Sequence, residues 1–496
     1  MPRSTQGEQQ HAFTFIDLFA GIGGFHAALG AYGGKCEYAV EIDPEAAKVY
    51  ELNWGMNPLG DITKDVPDDN SPLREGFPEH DILAAGFPCQ PFSKSGKQHG
   101  MDETRGTLFW NILRIIEERK PTVVLLENVR NLAGPRHTHE WEVIVASLRE
   151  QGYRVASKSA IFSPHLLPPE RGGRPQVRER VFITATLNAE CNYEQPDGEL
   201  VFEDVAPPIT HEPVDGWNPN EWCIDDFLDD EPDFAGCALS AAEEKWIEAW
   251  DEFVRTYRAH ATAKGLSTKL PGFPIWADEW GLDGQRFERK ITEFGGVPSA
   301  KDLQRADRTM PAWKASHIAK NLALYADHGE WIAPWAKKHG VFTKEFPPSR
   351  RKLEWQAQDT EGLWDTVMHL RPSGIRAKRP TYLPALVAIT QTSIIGPRRR
   401  RVSPRETARL QSLPDTFDFG AQRPAATYKQ MGNGVNAGVV WHVLREHVLR
   451  DQEILKQSEA GRRIRDAVLS APLSLDDVLE THSPAARPEP ELRNAA

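Results

Sequence analysis

The chain has 496 residues, 40% of them hydrophobic and 26% charged, with a formal net charge of −12. Such a composition fits a soluble globular protein large enough for two or three domains. No apolar run approaches the ~20 residues that span a bilayer, and the polar opening "MPRSTQGEQQHAFT" lacks a signal-peptide core, so a cytoplasmic protein without a membrane partner is expected.

In chain order, "FTFIDLFAG" (13–21) reads as a strand running into a glycine turn, and "GFHAALGAYG" as the helix after it. "EYAVEID" (37–43) is a second strand, followed by a helix that starts at Pro44. "HDILAAG" (80–86) is a third strand, and "TLFWNILRIIEERK" (107–120) carries the helical stripe Leu108, Ile112, Ile115 and Ile116. "PTVVLLENV" (121–129) is apolar enough for a strand buried on both faces, and "RVFITAT" (180–186) is a later strand. Strands alternating with helices imply a doubly wound, mostly parallel α/β sheet of Rossmann-like type.

That rhythm stops near residue 186. The span 187–375 holds eleven of the fifteen tryptophans and reads as a second, smaller domain, with a helix expected over 238–261. Residues 196–235 contain thirteen acids and no Lys or Arg, whereas 371–409 carry ten basic residues against Glu406 alone. A local basic stripe of that kind is what a phosphate backbone meets, whatever the net charge. The acidic block belongs on an outer surface. The α/β pattern returns over 376–450, and 451–496 reads as a partly disordered tail after a short N-terminal one (1–12).

Several positions could carry chemistry. The turn "GIGG" (21–24) can present bare backbone amides to a polar ligand. Glu41, at the second strand's end, can hold ribose hydroxyls or cap the next helix, and Asp61 offers a carboxylate to an amino group. Cys89 in "GFPCQPFS" is either a structural thiol or a nucleophile held between Pro88 and Pro91. Glu127, beside an apolar strand end, is placed for a raised pKa. Arg178 and Arg180, two apart on a strand, should face the same way. The five cysteines form no CxxC pair and match no zinc spacing, so no metal is expected.

Taken together, "FIDLFAGIGGFHAAL", "GFPCQPFS", "ENVRNL", "QVRERVF", "SPRETARLQSLPDTF" and "YKQMGNGVNAGVV" resemble, in order, the motifs of the DNA (cytosine-5)-methyltransferases, of the kind found in prokaryotic restriction–modification systems. The resemblance covers most of 13–186 and about 371–449, flanking a variable middle that in this family recognises the target. It implies that Cys89 adds to C6 of a flipped-out cytosine, that Glu127 protonates N3, and that Arg178 and Arg180 lie against the base, Arg178 touching its carbonyl. It also implies that S-adenosylmethionine lies over Phe19, Gly21 and Gly23, with Glu41 on the ribose, Ile42 on the adenine face and Asp61 on its amino group. Ile62, Pro88, Leu108, Asn433 and Val435 complete that pocket. Ser93, Ser95, Arg376, Lys378, Arg379, Arg398 and Arg399 are expected on DNA. A monomer acting on duplex DNA, with a cognate endonuclease encoded nearby, follows from the same resemblance. Two rivals are an RNA cytosine-5 methyltransferase, whose recognition region is usually smaller, and a nucleotide-dependent oxidoreductase, which gives Cys89, Glu127 and the arginines no joint role.

Overall fold

The alternating strands and helices of the first half fold into a seven-stranded sheet. Its order is Gly34–Val40, Phe13–Leu18, Ile82–Gly86, Val123–Val129, Arg180–Leu187 and Tyr153–Val155, with Ala160–Phe162 also paired to Arg180–Leu187. In this computed structural model the described residues are 11–67, 71–88, 107–188, 192–194, 200–202, 205–232, 235–386 and 392–480. The first four strands run parallel, and Arg180–Leu187 joins antiparallel to Val123–Val129.

The period of two along these strands divides the core into two layers. Phe15, Ile82, Ala84, Val123 and Leu125 face one cluster, which the helices Gly24–Ala31 and Ala437–Leu455 cover. Ile16, Leu83, Ala85, Val124 and Leu126 face the other, covered by the Ile112, Leu113, Ile115 and Ile116 stripe of Leu108–Arg119. Each buried Ile, Leu, Val or Phe among them contributes roughly 1.5–3 kcal/mol.

Two features of this topology position the site. The chain leaves Phe13–Leu18 for a neighbour on one side and later returns on the other, so a crevice opens at the carboxyl ends of these strands. Because Arg180–Leu187 runs the opposite way, its amino end arrives at that same edge, with Arg180 paired to Val129.

The chain divides into two compact units, one of residues 1–222, 384–390 and 404–496, the other of 223–383 and 391–403. The second unit therefore starts later than the composition shift at 187 suggests, and the arginine run 398–401 belongs to it. It is built on a six-stranded sheet ordered Ile275–Trp276, Lys352–Gln356, Gly374–Lys378, Val367–Arg371, Ile394–Ile395 and Arg400–Arg401. Beside the sheet run the long helices Ala241–Ala263, with a Ser240/Glu243 capping box, and Ala312–Lys338. Trp250, Trp280, Trp335, Trp355 and Trp364 are core residues there, while Trp313 is 61% exposed.

The expectation of a partly disordered tail is corrected over 451–480, while 481–496 lie outside the described residues. Residues 451–480 are not a loose tail: the helix from Ala437 runs on to Leu455, and Glu459–Ser470 and Asp476–Leu479 follow. Leu455, Ile464, Val468 and Leu475 are buried in the first core layer. Apolar residues at helical spacing outweighed the polar composition.

Candidate active site

The strand Phe13–Leu18 ends in a turn that only an unusual backbone can make: Phe19 has φ 56°, Gly21 56° and Gly23 91°. The turn is tied to the next strand by Glu41, whose carboxylate accepts from the Gly21 amide at 2.8 Å and from the Asp43 amide at 2.7 Å. A carboxylate has about four lone-pair sites, so Glu41 can brace the turn and still accept from two hydroxyls.

These groups line a cavity of about 630 Å³. Every cofactor candidate named from the sequence lines it except Gly23. The Gly23 Cα instead backs onto Trp54, and an added Cβ would meet that indole nitrogen at 2.1 Å. Ile42 presents an apolar side chain that is 71% exposed, a surface suited to a flat aromatic ring. Asp61 caps the short helix Ile62–Asp65 by accepting from the Thr63 amide and hydroxyl through Oδ1, which holds its carboxylate at the rim. Residues of this kind fit a nucleoside with a charged amino-acid tail: an apolar shelf at Ile42, an acid at a strand end in Glu41 and a second acid at a helix cap in Asp61.

At the other end of the same cavity stand Glu127 and Arg180. Glu127 is 7% exposed, and the Arg180 guanidinium Nε lies 2.8 Å from its Oε1. Burial raises the Glu127 carboxyl above the usual range, against the opposing charges of Arg180 and Arg178. Register places Glu127 opposite Gly86, and a Cβ there would stand 3.7 Å from Glu127 Oε2. Asn128, not singled out in the sequence, donates to the Phe87 carbonyl at 2.9 Å and so ties down the backbone just before Pro88. Cys89, Ser93 and Ser95 lie outside the described residues, whereas Pro88 lines the cavity.

Arg178 departs from expectation. It stays close enough to Arg180 and Glu127 for their charges to act on it, but Arg180–Leu187 begins two residues later and the chain at Arg178 and Glu179 is not in strand. The Arg178 side chain turns inward, is 1% exposed, and donates to the backbone carbonyls of Leu386, Gly432 and Gly434. Burial and the neighbouring Arg180 push it down to about 9.

Two further residues at the cavity were not singled out. Lys429 pairs with Asp43 at 2.8 Å, and both line the cavity. The signal was present: Lys429 lies four residues before Asn433 in the helix Pro424–Asn433, and such positions share a face. Gly24 admits the Val435 carbonyl so closely that an added Cβ would stand 2.5 Å from it.

In the second unit, register separates the sheet into an apolar face and a polar one. Leu353, Trp355, Ile375, Ala377, Met368 and Leu370 face the core. Lys352, Glu354, Arg376 and Lys378 take the alternate positions. Arg376 pairs with Glu354 at 2.7 Å, Arg379 pairs with Asp359, and Lys378 makes no ion pair among the described residues. Arg399 stacks over Trp364, 4.3 Å from the ring centroid. Arg398 is not free for phosphates: it is held by Asp225 at 3.0 Å and Asp230 at 2.6 Å, which raise its pKa. Part of the acidic block thus neutralises the arginine run rather than standing apart from it. Among the described residues no group of His, Cys, Asp and Glu is arranged to hold a metal ion, and no helix is long and apolar enough to cross a membrane.

Residues 13–448 match the family described as C-5 cytosine-specific DNA methylase. The chain is 55% identical to the type II methyltransferase M.AluI of Cellulosimicrobium cellulans, over 92% of this chain and 96% of that one. It is 29% identical to M.BanI of Aneurinibacillus aneurinilyticus over 87% and 95% of the two chains. With M.HpaII of Haemophilus parainfluenzae it shares 44% identity over 39% and 52%.

Proposed function

The chain belongs to the C-5 cytosine-specific DNA methylases, and from that premise we propose that the cavity at the sheet's carboxyl edge receives S-adenosylmethionine at one end and an extruded cytosine at the other. The protein is a site-specific DNA (cytosine-5)-methyltransferase of the type II restriction–modification kind, and it uses S-adenosylmethionine. One observation carries the residue assignments: the glycine turn, Ile42 and Asp61 line the same cavity as Glu127 and Arg180.

In this reading Glu41 takes the ribose, Ile42 the adenine face and Asp61 its amino group, while Leu108, Asn433 and Val435 close the pocket. When bound, S-adenosylmethionine supplies a methyl group activated on a sulfonium, which C5 of the cytosine receives. A base inside a duplex is out of reach of the thiol, so it must be flipped out. Cys89, as its thiolate, adds to C6 and breaks the ring's aromaticity. Glu127, whose carboxyl burial raises above the usual range, donates a proton to N3 as electron density rises towards C5. Arg180, which lines the cavity, contacts the cytosine carbonyl in place of Arg178. Loss of the C5 proton then expels the Cys89 thiolate and restores the ring. None of these steps calls for a metal.

The second unit reads the target sequence, and Lys378, which makes no ion pair among the described residues, and Arg399 are the basic groups best placed to meet phosphates. The protein acts as a cytoplasmic monomer that protects DNA against a cognate endonuclease. Bisulfite sequencing of DNA from cells expressing the chain tests this directly. Protection of one cytosine within one short motif is expected; complete conversion everywhere, with methylation of tRNA instead, would overturn it.

A further inference from the structure

A buried guanidinium needs acceptors, and those Arg178 finds are unusual in belonging to one wall. Its Nη1 donates to the Leu386 carbonyl at 3.3 Å, and its Nη2 to Gly432 at 2.9 Å and to Gly434. Its own amide donates to Ser163 Oγ at 2.8 Å, while Nε has no acceptor among the described residues. Leu386, Gly432 and Gly434 all line the cavity, and with Asn433 and Val435 the last two make a continuous stretch of it.

That stretch needs an outside donor. The helix Pro424–Asn433 ends at Gly434, and the last carbonyls of a helix lack partners within it. A basic side chain reaching them is a recognised way to close such an end. On the opposite side the same stretch presses on the glycine turn, where the Val435 carbonyl lies 2.5 Å from the position a Gly24 Cβ would take. Residues 432–435 are therefore held between the turn and the Arg178 fork. The planar guanidinium suits this task, since it meets several acceptors at fixed angles, which an ammonium cannot.

We infer that Arg178 is a positioning residue for the cofactor: it fixes the 432–435 wall against the glycine turn and does not touch the cytosine. The inference rests on the assignment of this cavity to S-adenosylmethionine.

Two variants test it, Arg178→Met and Arg178→Lys, each measured in the full chain. Calorimetric titration with S-adenosylhomocysteine gives cofactor-site affinity, and amide hydrogen exchange of the cofactor-free chain reports on 432–436. In Arg178→Met, affinity should fall about tenfold or more, the effect of one lost buried hydrogen bond. Exchange at 432–436 should quicken while the Val123–Val129 strand stays protected. At saturating cofactor, kcat should stay within about threefold, the loss falling on cofactor KM. Arg178→Lys should recover part of the affinity, and it keeps the test decisive if Arg178→Met does not fold. Unchanged affinity and exchange, with kcat down by about two orders of magnitude, would overturn the inference and return Arg178 to the base. If the unaltered chain itself fails to bind S-adenosylhomocysteine, the cavity assignment falls, and the inference with it.

Discussion

The Arg180 guanidinium stands 2.8 Å from the Glu127 carboxylate because two strands of opposite direction end together. The register sets Val129 against Arg180 and Glu127 against Phe182, so both side chains reach the carboxyl edge from different segments of sequence. Burial raises the Glu127 carboxyl and the guanidinium lowers it, leaving a net rise. Such a rise suits a general acid, which then holds its proton to higher pH than an ordinary carboxyl does.

Replacing Arg180 by Gln removes the first of the opposing charges, so Glu127 should keep its proton to higher pH. The protonated form is the donor, and the rate falls as pH rises through its pKa. The alkaline limb of the kcat/KM profile should therefore move to higher pH, while kcat drops ~10²–10³-fold from the lost contact to the base. A limb that stays in place would separate Glu127 from the proton transfer.

Glu127→Gln keeps the shape and loses the proton. Turnover should fall ~10²–10⁴-fold, with cofactor affinity unchanged because Glu127 lies at the far end of the cavity. Single-turnover methylation and cofactor titration of the same preparation measure the two effects separately.

Gly24→Ala would set a Cβ 2.5 Å from the Val435 carbonyl, which is backbone and can move only with the wall. A loss of ~1–3 kcal/mol in stability and a raised cofactor KM are expected, from urea unfolding and steady-state kinetics. Gly21, whose added Cβ would meet nothing within 4 Å, has φ 56° and should show backbone strain without that clash.

Acid should loosen the sheet's attachment to the helix Ala437–Leu455. The buried Thr186 hydroxyl lies 3.0 Å from His447 Nε2 and donates to Asp451 at 2.6 Å. Burial lowers His447 from 6.5 to about 3, and Asp451, held by Arg450 and His447, from 3.8 to about 2. Both folded values lie below the unfolded ones, so the unfolded chain binds more protons and stability declines as pH falls. The His447 part is lost from 6.5 downwards and the Asp451 part from 3.8 downwards. Urea midpoints at pH 8, 6 and 5 measure this, and His447→Gln should flatten the dependence across that range.

Lys378 and Arg398 should behave differently towards DNA, although both lie in the basic stripe. Lys378→Ala should lower the slope of log K against log salt by about 0.9. Arg398→Ala should leave the slope unchanged and lower the melting temperature, because its guanidinium is committed to Asp225 and Asp230.

What the sequence made legible was the frame of the first unit. Strand periodicity located the sheet, and the ordered motifs brought Phe19, Glu41, Ile42, Glu127 and Arg180 to one cavity. The backbone partners of Arg178 were not legible, because alternation holds only within an unbroken strand, and the strand begins at Arg180. The ion pairs of Arg398 were not legible because charge counts do not show which acids fold back, here Asp225 and Asp230 from far along the chain. Gly23 matched a motif, yet its space is filled by Trp54, a packing relation that no local pattern carries. The helices after residue 455 were hidden by composition, since a polar surface and a thin apolar stripe read as a tail.

A trapped adduct tests most directly whether Cys89 adds to a cytosine held by Glu127 at N3 and by Arg180 at its carbonyl. Duplex DNA carrying 5-fluorocytosine at the methylated position has no C5 proton to lose, so the thioether at C6 cannot be released after transfer. With S-adenosylmethionine present, the unaltered chain should form a complex that survives denaturation, and its DNA-bound peptide should contain Cys89. Cys89→Ser should bind the same DNA and form no such complex. A stable adduct on another residue, or full methyl transfer by Cys89→Ser, would contradict that addition.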